Sequence, residues 1–176
     1  MELDVRLGYG PDTIASALQT LVRLQRLDLE VWWPIGAFLF GQLTELQHLT
    51  FTSSQMDPHV IDALSASLRT LTCLEELTLD CTSYDGFELT QVMRATRCLP
   101  ALETLATHVS EFEELRGFEQ LRGMDQLRRL DLRIRHRPLD CSVAHARAAV
   151  RDALNPRQNT VVTLEADSES EDEPEN

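Results

Sequence analysis

Leu24, Gln25, Arg26, Leu27, Asp28, Leu29 is a string this chain keeps returning to. It comes back as Leu46, Gln47, His48, Leu49, Thr50, Phe51, and then as Leu74, Glu75, Glu76, Leu77, Thr78, Leu79. Two further copies follow, Leu102, Glu103, Thr104, Leu105, Ala106, Thr107 and Leu127, Arg128, Arg129, Leu130, Asp131, Leu132. Three copies of L-x-x-L-x-L are intact and two change only the last place. Working outward, a further apolar residue stands three places upstream of each copy, at Leu21, Leu43, Leu71, Leu99 and Met124. Half-copies bracket the set, with Leu3, Asp4, Val5 at the start and Val162, Thr163, Leu164 at the end. The L-x-L cores therefore begin at positions 3, 27, 49, 77, 105, 130 and 162, which are 22 to 32 residues apart. A period of that length decides the architecture before any single element is considered.

Side chains alternate along a strand, so L-x-L aims two leucines at one face and leaves the residue between them on the other. Between the cores, apolar residues recur at three and four, which is the spacing of a helix with one buried stripe. Such stripes are Ile14, Leu18, Leu21; Val60, Ile61, Leu64, Leu68, Leu71; Leu89, Val92, Met93, Leu99; and Phe112, Leu115, Phe118, Leu121. Pro11 with Asp12, and Asp57 with Pro58, supply helix-start chemistry. Residues 140 to 154 read as a final helix carrying Val143, Ala146, Val150 and Leu154, and residues 160 to 164 as a last strand. One strand and one helix of this size cannot bury their own apolar faces, so neighbouring copies are expected to stack, with parallel strands sharing one core.

This pattern resembles the leucine-rich-repeat family. The resemblance covers residues 2 to 164 and implies an α/β solenoid: a right-handed superhelix with a parallel sheet on its concave face and helices outside. On that reading residues 1–164 form about six units, and residues 165–176 a disordered acidic tail. The family's turn asparagine is absent; Gly8, Trp32, Ser54, Thr82, Ser110 and Arg135 hold its place. Ser54, Thr82 and Ser110 can offer a hydroxyl there, whereas Trp32 and Arg135 cannot, which predicts an irregular turn ladder. Such degenerate repeats are similar to those that follow the F-box in ubiquitin-ligase substrate receptors, although no F-box is present. The first strand begins at residue 2 with no capping unit before it, so the chain is expected to be truncated or a fragment of a longer receptor, or else to dock that edge on a partner or self-associate.

Composition narrows the function. At 43% apolar and 26% charged the chain has an ordinary globular balance. The net charge is −13, but Glu165, Asp167, Glu169, Glu171, Asp172, Glu173 and Glu175 put seven acids into the last twelve residues. The remaining body has 22 acids against 16 bases and no basic stripe, which argues against nucleic acid. No stretch is apolar for long enough to cross a membrane, and the N-terminus lacks the layout of a signal peptide. Cys73, Cys81, Cys98 and Cys141 match neither a metal pair nor a compact disulfide framework. Free thiols then point to the cytoplasm or nucleus.

The residues between and after the leucines are expected on the open side of the sheet. One lateral stripe is Asp4, Asp28, Thr50, Thr78, Ala106, Asp131, and the next is Arg6, Glu30, Thr52, Asp80, His108, Arg133. A flanking stripe is Arg26, His48, Glu76, Thr104, Arg129. Such a surface suits a partner protein with charge patches and hydrogen-bonding loops. Asp28, Glu30, Thr50, Thr52, Thr78, Asp80, His108 and Arg133 are the candidate contacts, with Trp33 as an aromatic anchor beside them. The competing reading, which the short repeat favours, packs Trp33 with Trp32 around Pro34, Phe38 and Phe40. Asp80 and His108 fall on adjacent strands, but no third ligand has a clear place, so no metal site is assigned. No nucleophile has a base and an orienting group at a recognisable spacing, and Gly8 and Gly10 make no phosphate loop. No enzymatic activity, cofactor or catalytic residue is therefore expected.

Residues 167–176 lack the apolar surface needed to offset ordering entropy. Ser168 and Ser170 each have an acid three residues on, resembling sites of acidophilic kinases such as casein kinase two. The expectation is a non-catalytic protein-protein interaction module, with substrate recognition for a ubiquitin-ligase adaptor as the role implied by the F-box resemblance. The alternative is a regulator of an enzyme or nuclear factor, since repeats with an acidic tail also look like Ran GTPase-activating proteins and acidic nuclear phosphoproteins.

Overall fold

The computed structural model describes residues 2–7, 20–31, 42–53, 58–81, 86–109, 112–134, 143–154 and 160–166. Seven strands are present: β1 Glu2–Leu7, β2 Arg26–Val31, β3 His48–Ser53, β4 Glu76–Cys81, β5 Thr104–Val109, β6 Arg129–Ile134 and β7 Val161–Ala166. They form one sheet in chain order, each parallel to the next. The register follows the repeat. Leu3 pairs with Leu27, Leu27 with Leu49, Leu49 with Leu77, Leu77 with Leu105, Leu105 with Leu130 and Leu130 with Val162. The second apolar position makes a parallel row through Leu29, Phe51, Leu79, Thr107, Leu132 and Leu164.

Both rows are buried except for Leu3, which is partly buried, and so are Val60, Ile61, Leu64 and Leu68 of α1 (Pro58–Leu68). Leu89, Val92 and Met93 of α2 (Gly86–Thr96) and Ala146, Val150 and Leu154 of α3 (Val143–Leu154) join the same core. Sheet and helices thus make two layers around one apolar interior. Each fully buried leucine there is worth roughly 1.5–3 kcal/mol relative to leaving it in water. Two of the hydroxyls inside this layer are satisfied within their own helices: Thr96 Oγ1 donates to Val92 O at 2.9 Å and Ser67 Oγ to Ala63 O at 2.8 Å.

The leucine upstream of each strand has a structural reason. In four copies the L-x-x-L step closes a three-residue turn, with Leu24 N donating to Leu21 O, Leu46 N to Leu43 O, Leu74 N to Leu71 O and Leu127 N to Met124 O, at 2.9–3.1 Å. The chain then enters the sheet through shared carbonyls. Gln25 O accepts from both Gln47 N (2.8 Å) and His48 N (3.0 Å). Gln47 O, Glu75 O and Glu103 O do the same for the next three strands. Each repeat is thereby locked to its predecessor just before its leucines turn inward.

Two boundaries differ from the sequence reading. Residues Phe112–Leu121 form a 3-10 helix, in which side chains three apart lie one above another, and Leu115, Phe118 and Leu121 are buried in that spacing. The last strand spans Val161–Ala166, so the sheet continues two residues beyond position 164, where the repeat region was expected to stop. Glu165 pairs with Arg133 and Ala166 with Ile134. Among the described residues no helix is long and apolar enough to cross a membrane. The first expected helix around Ile14 and Leu18, the N-cap Asp57, all six turn positions from Gly8 to Arg135, Trp33, and the tail with Ser168 and Ser170 lie outside the described residues.

Candidate functional site

Strand alternation places the residues between the buried leucines on the opposite side of the sheet. Asp28, Thr50 and Thr78 stand side by side through strand pairing, as do Glu30, Thr52 and Asp80. All six are partly accessible. His108 and Arg133 pair at the same level of β5 and β6. The eight strand residues expected from the sequence therefore share one face.

The face changes character along its length. Around β3 it is hydroxylated, with Thr50 and Thr52. Toward β6 and β7 it becomes ionic. Asp80 Oδ1 and His108 Nδ1 stand 3.0 Å apart. Arg129 Nε lies 2.7 Å from Asp131 Oδ2, and Arg133 Nε lies 3.6 Å from Glu165 Oε2. The hydrogen bond from Arg129 to Asp131, and then the charge of that carboxylate, hold the guanidinium above its ordinary pKa. His48 Nε2 approaches Glu76 Oε2 at 3.6 Å on the flanking stripe.

His108 departs from its stripe. Its position belongs to the open face, yet the residue is only 9% exposed. Paired register between β4 and β5 runs from Glu76 with Thr104 to Leu79 with Thr107, one level short of Asp80 and His108. Beside the histidine, the small side chain of Ala106 leaves a depression of about 270 Å³ on the open face. It is lined by Thr78, Asp80, His108, Asp131, Arg133 and Thr163, among others. Asp131 Oδ1 is shut off from solvent and, among the described residues, has no hydrogen-bond partner. The sequence reading placed Ala106 and Asp131 in its stripes without singling them out. A signal was available, because Arg-Leu-Asp-Leu occurs at both Arg26–Leu29 and Arg129–Leu132 and puts an arginine and an aspartate two residues apart on one strand face.

Asp80, His108, Asp131 and the arginines can donate, accept and attract charge. Among the described residues no three His, Cys, Asp or Glu side chains come together in a way that could hold a metal ion. Cys73 and Cys98 are exposed and Cys81 is buried, all as free thiols. Compared with known proteins, the chain matches no protein-family model and no curated sequence.

Proposed function

We propose that this chain is a leucine-rich-repeat solenoid of about six units that binds another protein on a concave sheet face and carries out no chemistry itself. The observation that supports it best is the seven-stranded parallel sheet in chain order, with L-x-L cores in register and one polar face left to solvent. A surface of that kind offers many spaced polar contacts and little enclosed volume, which suits recognition of a protein. Acids outnumber arginines on the outward strand positions, so the partner presents basic side chains and hydrogen-bonding loops to it. The similarity of the degenerate repeats to those of F-box receptors extends the proposal to substrate recognition in a ubiquitin-ligase complex. Co-precipitation of a Skp-type adaptor with the full-length gene product tests that extension.

The face itself is tested by affinity purification with quantitative mass spectrometry on folded wild type and variants. Thr50→Arg and Thr78→Arg alter the open face; Arg69→Glu and Arg94→Glu alter exposed positions on the helix side. The expected result is a protein that the open-face variants lose and the helix-side variants retain. A partner captured equally by all four variants would overturn the proposal.

A further inference from the structure

Arg26, Arg129 and Arg133 of the open face each stand against an acid: Asp28, Asp131 and Glu165. On α3 the reverse holds. Arg147 and Arg151 are exposed, and among the described residues neither guanidinium meets an acid or another acceptor. Four residues apart, the two lie one turn from each other on the same side of the helix. At 3.6 residues per turn that side is the flank opposite Ala149 and Ala153, which line the groove against the 3-10 segment. Ala146, Val150 and Leu154 point into the core between the two flanks. The arginines therefore face away from the rest of the array, and the exposed Ala144 and Ala148 beside them add no charge. The sheet ends on that same side. Val161 N donates to Arg128 O at 2.8 Å, toward β6. Strand alternation then turns the N–H and C=O groups of Val162 and Leu164 to the other edge, where no strand lies among the described residues. A peptide backbone answers such an edge and carboxylates answer guanidinium groups, so this end of the array fits an acidic peptide segment.

We propose that residues 167–176 of this chain are that segment, folding back over the end of the array with their carboxylates on Arg147 and Arg151. The contact is independent of what the open face binds. The segment carries six acids, no base and, apart from Pro174, no apolar residue, so it cannot add an eighth repeat and only polar contacts can hold it. It is within reach. Strands β6 and β7 are parallel, so α3 between them runs back along the sheet and begins near the end where β7 leaves it. Ten residues extend up to roughly 33 Å, whereas the twelve residues of α3 span about 18 Å. Exposed ion pairs are individually weak, but attachment to β7 keeps the acids at a high effective concentration beside the arginines. Arginine stays charged across the accessible pH range, so the complementarity does not turn on the state of any histidine. Phosphates on Ser168 and Ser170 would bring further negative charge to the same contact.

The test is NMR on the full ¹⁵N-labelled chain, with thermal melts to check that each variant is folded. Raising NaCl from about 0.01 M to 1 M cuts the screening length from about 30 Å to 3 Å and should move the amide signals of Arg147, Ala148 and Arg151. A chain with Glu169→Gln, Glu171→Gln, Asp172→Asn and Glu173→Gln together should show the high-salt positions already at low salt. Read from the other partner, Arg147→Gln with Arg151→Gln should lower the ¹H–¹⁵N nuclear Overhauser effect of the Glu169 to Glu173 amides at low salt. Arg116→Gln, which alters an exposed arginine of the 3-10 segment on the far side of α3, should leave it unchanged. Reversing both partners, Arg147→Glu and Arg151→Glu with Glu169→Arg, Glu171→Arg and Glu173→Arg, should restore the effect that either reversal alone removes. Signals of α3 indifferent to the acidic segment, segment relaxation indifferent to Arg147 and Arg151, or an equal loss in Arg116→Gln overturns the proposal. So does a contact that fades on tenfold dilution, which would give the surface to the segment of a second copy.

Discussion

Ser65 and Asp131 each bury an oxygen that meets no partner, but in different settings. Ser65 sits on the inner side of α1 among leucines, where a hydroxyl contributes only its desolvation cost. Ser65→Ala is therefore expected to stabilise the fold by about 1 kcal/mol, which for a chain of this size raises the midpoint of a thermal melt by roughly 2–4 °C. Leu105→Ala should act in the opposite sense. That side chain is fully buried in the middle of the leading leucine row, and its truncation costs about 2–5 kcal/mol in a urea titration. The inward and outward sides of these positions were legible in the sequence, because the two-residue alternation of L-x-L admits one solution once a core exists. The burial of His108 was not. The histidine's place in an outward stripe gives no sign of burial, and spacing does not show that the β4–β5 pairing stops at Leu79 and Thr107.

The stretch Phe112–Leu121 separates pattern from geometry at the level of elements. Its apolar residues recur strictly every third place, a spacing that favours three residues per turn over 3.6, and a reading tuned to mixed threes and fours passes over it. Gly123 follows with φ of 85°, and a Cβ there would meet nothing within 4 Å. Gly123→Ala should thus cost backbone strain alone, about 1–2 kcal/mol by chemical denaturation. At Gly117 the φ is not left-handed and an added Cβ would touch Thr90 Oγ1 at 3.4 Å, so Gly117→Ala should be far better tolerated. Arg122 reaches from the same turn to the end of α3, its Nε donating to Ala153 O at 3.1 Å and its Nη2 to Asp152 O at 3.3 Å. A cation on terminal carbonyls steadies a helix end. Arg122→Gln should speed amide exchange in the last turn of α3 while leaving α2 unchanged; equal exchange in both proteins would remove that role.

Across the molecule, contacts run between neighbours: each strand packs on the next, α1 on α2, α2 on the 3-10 segment, and that segment on α3. Stability in such an array is close to a sum of local and nearest-neighbour contributions. Hydrogen exchange should show β4 and β5 as the best protected, with protection declining toward β1 and β7. Uniform protection across all seven strands would instead mark one all-or-none unit. The order, direction and register of the strands were readable in advance because one repeated string dictates all three. The limits of each unit were less so: no large apolar side chain marks Glu165 and Ala166, which join β7 through backbone pairing with Arg133 and Ile134.

The doubled acceptors at Gln25, Gln47, Glu75 and Glu103 have a vibrational consequence. Two N–H groups drawing on one oxygen weaken its bond to carbon more than one does. A ¹³C label in the Gln47 carbonyl should therefore absorb in the infrared at a lower wavenumber than the same label at Leu49. Warming should move that band upward as the joint between the second and third repeats opens.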